Sequence, residues 1–172
     1  MPAGLAARPV DPHTGLTVPY VSAMTDPVTG EDVADFTALQ APRLYECGVK
    51  HWCGMCGTPL AYWIAFLGGP GSAEARSYVD PPMHEECALA AVRLCPHIAV
   101  RDNDRAALHR LPVDVFTPEA FVEKKPSLWV MGITRRYDVD VDMVNGIVFH
   151  PAPWKRVRTF SYDPAGLIVE MP

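Results

Sequence analysis

No apolar run in this chain approaches the length needed to cross a bilayer. The longest, Leu60–Gly69, stops well short. Residues 1–10 carry no basic start followed by an apolar block, so no signal peptide is expected there and the cytoplasm is the expected compartment. Positive charge is also scarce. Fifteen Lys and Arg stand against twenty Asp and Glu, a formal net charge of −5 with a pI near 5.6. A duplex-DNA binder normally carries a basic footprint, and this balance argues against one. No Gly-x-Ser-x-Gly is present, nor any Ser/His/Asp order that suggests a triad. The glycine-rich Gly68–Gly71 lacks the Lys-Ser/Thr of a phosphate loop and reads as a hairpin tip. There is no internal repeat and no low-complexity segment.

Cysteine is sparse too, but it is concentrated. All five cysteines fall between Cys47 and Cys95. In a reducing compartment an odd, clustered set favours metal over disulfides. Cys53-Gly54-Met55-Cys56-Gly57 is a knuckle in which two thiolates converge, with glycines supplying unusual backbone angles. His84 and Cys87 are three residues apart at the start of a helical run, which places both on one face. Cys53, Cys56, His84 and Cys87 are therefore read as one tetrahedral site for a structural Zn²⁺, with iron second. Knuckle, hairpin and helix with two ligands in its first turn is the treble-clef order. Cys95 lies eight positions after Cys87, about 12 Å along a helix axis and out of reach of the same metal. Cys47, His51, Cys95 and His97 are the neighbours able to substitute for a ligand or support one, with Cys95 and Cys47 expected to be packed thiols.

The 172 residues, 49% of them hydrophobic, suit one domain able to bury a core without metal. Residues 1–40 read as an extended arm with an edge strand over Thr17–Met24. Residues 41–100 form the zinc module. It has a helix over Pro42–Val49, a buried strand over Leu60–Leu67, a return strand over Arg76–Val79, and a helix N-capped by Asp80 that runs to Leu94. Residues 101–126 are a connector with short helices over Arg101–Arg110 and from Thr117 to Lys125. Residues 127–172 read as antiparallel strands over Leu128–Ile133, Tyr137–Met143, Ile147–His150 and Val157–Tyr162, with a turn at Asn145-Gly146. The fold class is α+β: a treble-clef-like zinc module joined to a C-terminal antiparallel sheet.

Several runs resemble a family of uncharacterised bacterial and phage proteins. They are Cys53-Gly-Met-Cys-Gly-Thr-Pro-Leu60, Ala65-Phe-Leu-Gly-Gly-Pro70, Asp80-Pro-Pro-Met-His84-Glu-Glu-Cys87-Ala88 and Ala91-Val-Arg-Leu-Cys95-Pro96. The family carries a CxxCGxPLG knuckle and a helix of the form PPSHxxCAxxAAxxCP. Gly15–Tyr20 and Trp129–Tyr137 are similar to its flanks. Ala61 departs from the pattern where the last knuckle glycine is expected, and Ser72–Ser77 differs. The resemblance implies a zinc-binding domain, implies no activity, and suggests that Cys95 belongs to the shared pattern.

Other constellations have simpler explanations. His84-Glu85-Glu86 has the His-x-Glu order of zinc deaminases, but those place Pro-Cys-x-x-Cys later, and here the Cys pair comes first. Glu86 is read as a solvated acid. Asp138, Asp140 and Asp142 alternate along a strand and read as a solvated face. Arg135, Arg136, Trp154, Lys155, Arg156 and Arg158 are the concentrated cations and their aromatic neighbour, of the type that clamps single-stranded nucleic acid. The first expectation is a non-enzymatic adaptor that recognises a protein partner, away from membranes. Nucleic-acid recognition is second, and a zinc hydrolase or deaminase-like enzyme is third.

Overall fold

A computed structural model describes residues 1–30, 32–34, 36, 39–101, 125–142 and 146–172. It is mixed α+β, with antiparallel strands filling the C-terminal part. In chain order the elements are α1 (Ala3–Ala6), a 3₁₀ turn (Tyr20–Ser22), β1 (Ala23–Thr25), β2 (Asp32–Ala34), α2 (Ala41–Lys50), β3 (Ile64–Gly68) and α3 (Pro70–Ala75). Then come β4 (Met83–His84), α4 (Glu85–Leu94), α5 (Pro96–Ala99), β5 (Leu128–Thr134), β6 (Tyr137–Asp142), β7 (Gly146–Pro151), β8 (Arg156–Tyr162) and β9 (Ile168–Glu170).

The main sheet has five antiparallel strands in the order β4-β3-β5-β8-β9. Its centre, β3 against β5, is apolar without a break because both faces are covered. The two-residue alternation of a strand sorts these residues between two cores. Ala65, Leu67, Trp129, Met131 and Ile133 face α4, meeting Cys87, Ala88, Ala91 and Val92. Ile64 and Phe66 face the other way, toward Cys47, Tyr78, Tyr137 and Phe149. Phe66 and Phe149 are fully buried, and each contributes about 1.5–3 kcal/mol. The β6–β7 hairpin closes this second core over α2, where the Tyr137 hydroxyl donates to the Cys47 carbonyl at 2.8 Å. Tyr78 and Phe149 exchange backbone hydrogen bonds of 3.0 and 2.8 Å, fastening β7 to the segment after α3.

The N-terminal arm lies on the body. Leu5 of α1 is fully buried in the core that holds Cys53, Cys56 and Cys87. Asp32 accepts from Arg8 at 3.0 Å and from Arg43 at 2.5 Å, tying arm, β2 and α2 together. No helix among the described residues is long and apolar enough to cross a membrane.

Several expected elements differ. Thr17 forms only an isolated bridge with Val10, and the strand begins at Ala23 after Tyr20–Ser22 turns the chain. The buried strand starts at Ile64 rather than Leu60. Gly68–Gly71 is not a hairpin tip: Gly69 caps α3, and Pro70, with its fixed φ, occupies the first helical position. Arg76 then ends α3 in the left-handed region (φ 48°), so Arg76–Val79 does not return as a strand. The partner of β3 is β4, and His84, not Asp80, caps α4. The C-terminal strands are antiparallel as expected, but they are divided between two sheets. β5, β8 and β9 extend the sheet begun by β3 and β4, while β6 and β7 pair only with each other. The helices expected over Arg101–Arg110 and from Thr117 to Lys125 fall almost wholly outside the described residues, as does Asn145.

Candidate metal centre

The knuckle is a tight antiparallel loop closed by a bridge between Trp52 and Pro59. Within it the Cys53 N–H donates to the Thr58 carbonyl and the Gly57 N–H to the Cys53 carbonyl, both at 2.8 Å. Gly57 sits at φ +72°, and a Cβ there would lie 2.6 Å from the Tyr20 ring. A Cβ on Gly54 would lie 2.3 Å from Cγ of Pro81. That near contact, with the 2.9 Å bond from the Gly54 N–H to the Pro82 carbonyl, brings the second pair of side chains to the first.

From Pro82 the chain passes into β4, where His84 pairs with Ile64, and then into α4. His84 is the extended N-cap residue, and Cys87 is in the first helical turn. Cys53, Cys56, His84 and Cys87 converge: their four ligand atoms all lie within 4.8 Å of one another. His84 Nδ1 is 3.5 Å from Cys56 Sγ and 3.9 Å from Cys87 Sγ. A tetrahedral ion with metal–sulfur bonds of about 2.3 Å needs sulfurs about 3.8 Å apart, so the ligand atoms stand within about 1 Å of a bound arrangement. Among the described residues no other group of three or more His, Cys, Asp or Glu side chains converges in this way.

The surroundings suit a cation held by thiolates. His84 Nε2 lies 3.0 Å from the Pro59 carbonyl, an acceptor that places the ring proton on Nε2 and leaves the Nδ1 lone pair toward the sulfurs. Cys53 is pulled well below the ordinary thiol range because its sulfur accepts hydrogen bonds from Cys56 and Cys87, outweighing its burial. Cys87 is pushed up as the hydrogen-bonded partner of Cys53. Three thiols packed so closely share one negative charge readily and further charges poorly, which is the situation a divalent ion relieves. The site is also mostly buried. Cys53, Cys56 and Cys87 are buried in the core that also holds Leu5, His84 is half-buried, and Gly4 approaches so closely that a Cβ would touch Cys56 Cβ at 3.3 Å.

The neighbouring candidates stand apart from the cluster. Cys47 is fully buried in the second core, and burial pushes its thiol up to about 12. Cys95 is half-buried between α4 and α5. His51 is in the left-handed residue that ends α2, against Tyr137, and His97 meets Trp129 edge-on. Glu86 is exposed, as are Asp138 and Asp140.

The cationic residues are divided in space. Trp154 is packed on Gly132, close to Phe66 and Tyr78, and donates its indole N–H to the Ala73 carbonyl at 3.1 Å. Arg156 pairs with Glu85 at 2.8 Å, and Arg158 with Glu170 at 2.7 Å and Glu85 at 3.5 Å. Arg136 lines a shallow cleft with Arg76, Asp138 and His150. Arg135 lies over Tyr62 and Trp63, and Lys155 is exposed. Nothing local in the sequence marks Pro59 as the acceptor for His84, or Leu5 as part of the core that holds the three cysteines. No protein-family model matches the chain, and no significant match is found among curated proteins or solved structures.

Proposed function

We propose that this chain is a non-enzymatic binding protein whose recognition surfaces are held in register by a structural Zn²⁺. The observation that carries the reading is the closed ligand set: Cys53, Cys56, His84 and Cys87 supply four donors within 4.8 Å, enough to fill a tetrahedron. Catalytic zinc keeps a position for water or substrate, and a tetrahedron filled by four protein donors offers none. Three thiolates with one imidazole favour Zn²⁺, with iron second. The knuckle, the antiparallel β3–β4 pair and a helix with a ligand in its first turn support a treble-clef reading of the module. The acidic balance favours a protein as the partner.

Cys56→Ser tests this. The variant is expected to lose bound zinc and thermal stability together, by about 2–5 kcal/mol. A variant that lost the metal and kept its full melting temperature would contradict the scaffold role.

A further inference from the structure

The element that supplies one metal ligand also positions an exposed aromatic–arginine patch. Trp63 directly precedes Ile64, the residue that pairs with His84, and Glu85 directly follows His84. Tyr62, 62% exposed, meets Trp63 edge-to-face at 5.0 Å. The Arg135 guanidinium lies 4.8 Å from the Tyr62 ring centre and 5.0 Å from that of Trp63. Arg156 lies 5.1 Å from Trp63 and is bound to Glu85. Four side chains from the ends of three adjacent strands, β3, β5 and β8, thus gather beside the metal module, with much of their surface in water.

Arg135 differs from the other arginines here. Its guanidinium is fixed by two rings, yet among the described residues it has neither a carboxylate within ion-pair distance nor a hydrogen-bond acceptor. A stacked guanidinium keeps its N–H edge free, and that edge matches a carboxylate in a two-pronged pair. Holding it in place beforehand lowers the ordering cost of binding. A phosphate backbone fits less well. Arg156 and Arg158 are already neutralised by Glu85 and Glu170, Glu85 would repel successive phosphates, and guanidinium groups lie over the rings on which bases would stack.

We infer that the patch formed by Tyr62, Trp63, Arg135 and Arg156 docks an acidic segment of a partner protein, a carboxylate pairing with Arg135 while an adjacent apolar or aromatic side chain packs on Tyr62. This rests on the binding-protein reading above and names the surface and the chemistry of the partner.

The test is a titration of ¹⁵N-labelled, zinc-loaded protein with a peptide of about 12 residues alternating Glu and Phe. Controls are the same peptide with Lys for Glu and an oligothymidine of about 20 nucleotides. The Trp63 indole and Arg135 Nε resonances are expected to shift saturably with the acidic peptide alone, and less at about 0.5 M salt. Arg135→Glu is expected to weaken binding at least about tenfold, and Arg135→Lys, which keeps the charge but loses the fork, by an intermediate factor. The spectra of these surface variants report their folding directly. Unmoved resonances, equal shifts with the lysine peptide, or shifts driven by the oligothymidine instead would overturn the inference. The same titration repeated after chelation of the zinc separates the two readings. Bound zinc without peptide shifts overturns the docking surface alone, whereas peptide shifts in a stable, metal-free protein overturn the scaffold alone.

Discussion

His84 Nε2 lies 3.0 Å from the carbonyl oxygen of Pro59, a residue on the opposite arm of the site. This contact fixes which ring nitrogen faces the sulfurs, because a proton held on Nε2 leaves Nδ1 as the ligand. It also means that, with the proposed metal bound, His84 would join knuckle and helix twice, through the metal and through the backbone. His84→Ala is therefore expected to weaken zinc affinity by more than the roughly 10–100-fold typical of losing a supporting contact alone. Competition with a chromophoric chelator measures it.

Gly54 has no room for a side chain. A Cβ would stand 2.3 Å from Cγ of Pro81, a ring within the chain and not the end of a flexible group. Gly54→Ala is expected to separate the two ligand pairs, costing about 2–4 kcal/mol in denaturant unfolding and reducing metal affinity. Gly71→Ala, in α3 with open space around it, is the control and is expected to leave metal affinity unchanged.

Trp154 lies on Gly132 at the middle of β5, where a Cβ would meet its ring at 2.5 Å. Gly132→Ala is expected to push the indole off β5 and break its 3.1 Å bond to the Ala73 carbonyl, a loss of about 1–3 kcal/mol. The readouts are the melting temperature and the tryptophan emission maximum, which should move to longer wavelength as the ring is wetted.

Asp32 carries a pH dependence of definite sign. Partial burial pushes its carboxyl up, but Arg43 and Arg8 together hold it below its usual value. A carboxylate with a lowered folded pKa contributes stability that is full above its unfolded value, about 3.9, and is lost as pH falls through the folded one. Asp32→Asn is expected to cost about 1 kcal/mol at pH 7 and progressively less at acid pH, as the Asp32 carboxylate of the parent protein is protonated. Paired unfolding curves at neutral and acid pH check it, since acid release of metal is common to the two proteins.

The Cys/His cluster was legible in the sequence because each pair is encoded locally. Cys53 and Cys56 need only a turn, and His84 and Cys87 only the start of a helix, so spacing alone carries the signal. The C-terminal strands were legible through their β-branched and aromatic runs. Their pairing was not, because β3 meets β5 across some sixty residues and nothing local marks the register of Ala65 on Ile133. Glycine was misread at Gly69, where Pro70 next to it was a helix-start signal. Trp154 looked available among basic neighbours, but its place was decided by the space over Gly132, a long-range fact. Leu5, the one large apolar side chain lying between Met1 and Val10, was the sign that the arm packs on the body.

The closed ligand set is tested most directly by X-ray absorption at the zinc edge of the purified protein. Three sulfur scatterers at about 2.3 Å and one nitrogen at about 2.0–2.1 Å, at one zinc per chain, are the predicted result. A shell in which oxygen replaces one of those four ligands would contradict it, because the metal would then hold an open position and the site would no longer be purely structural.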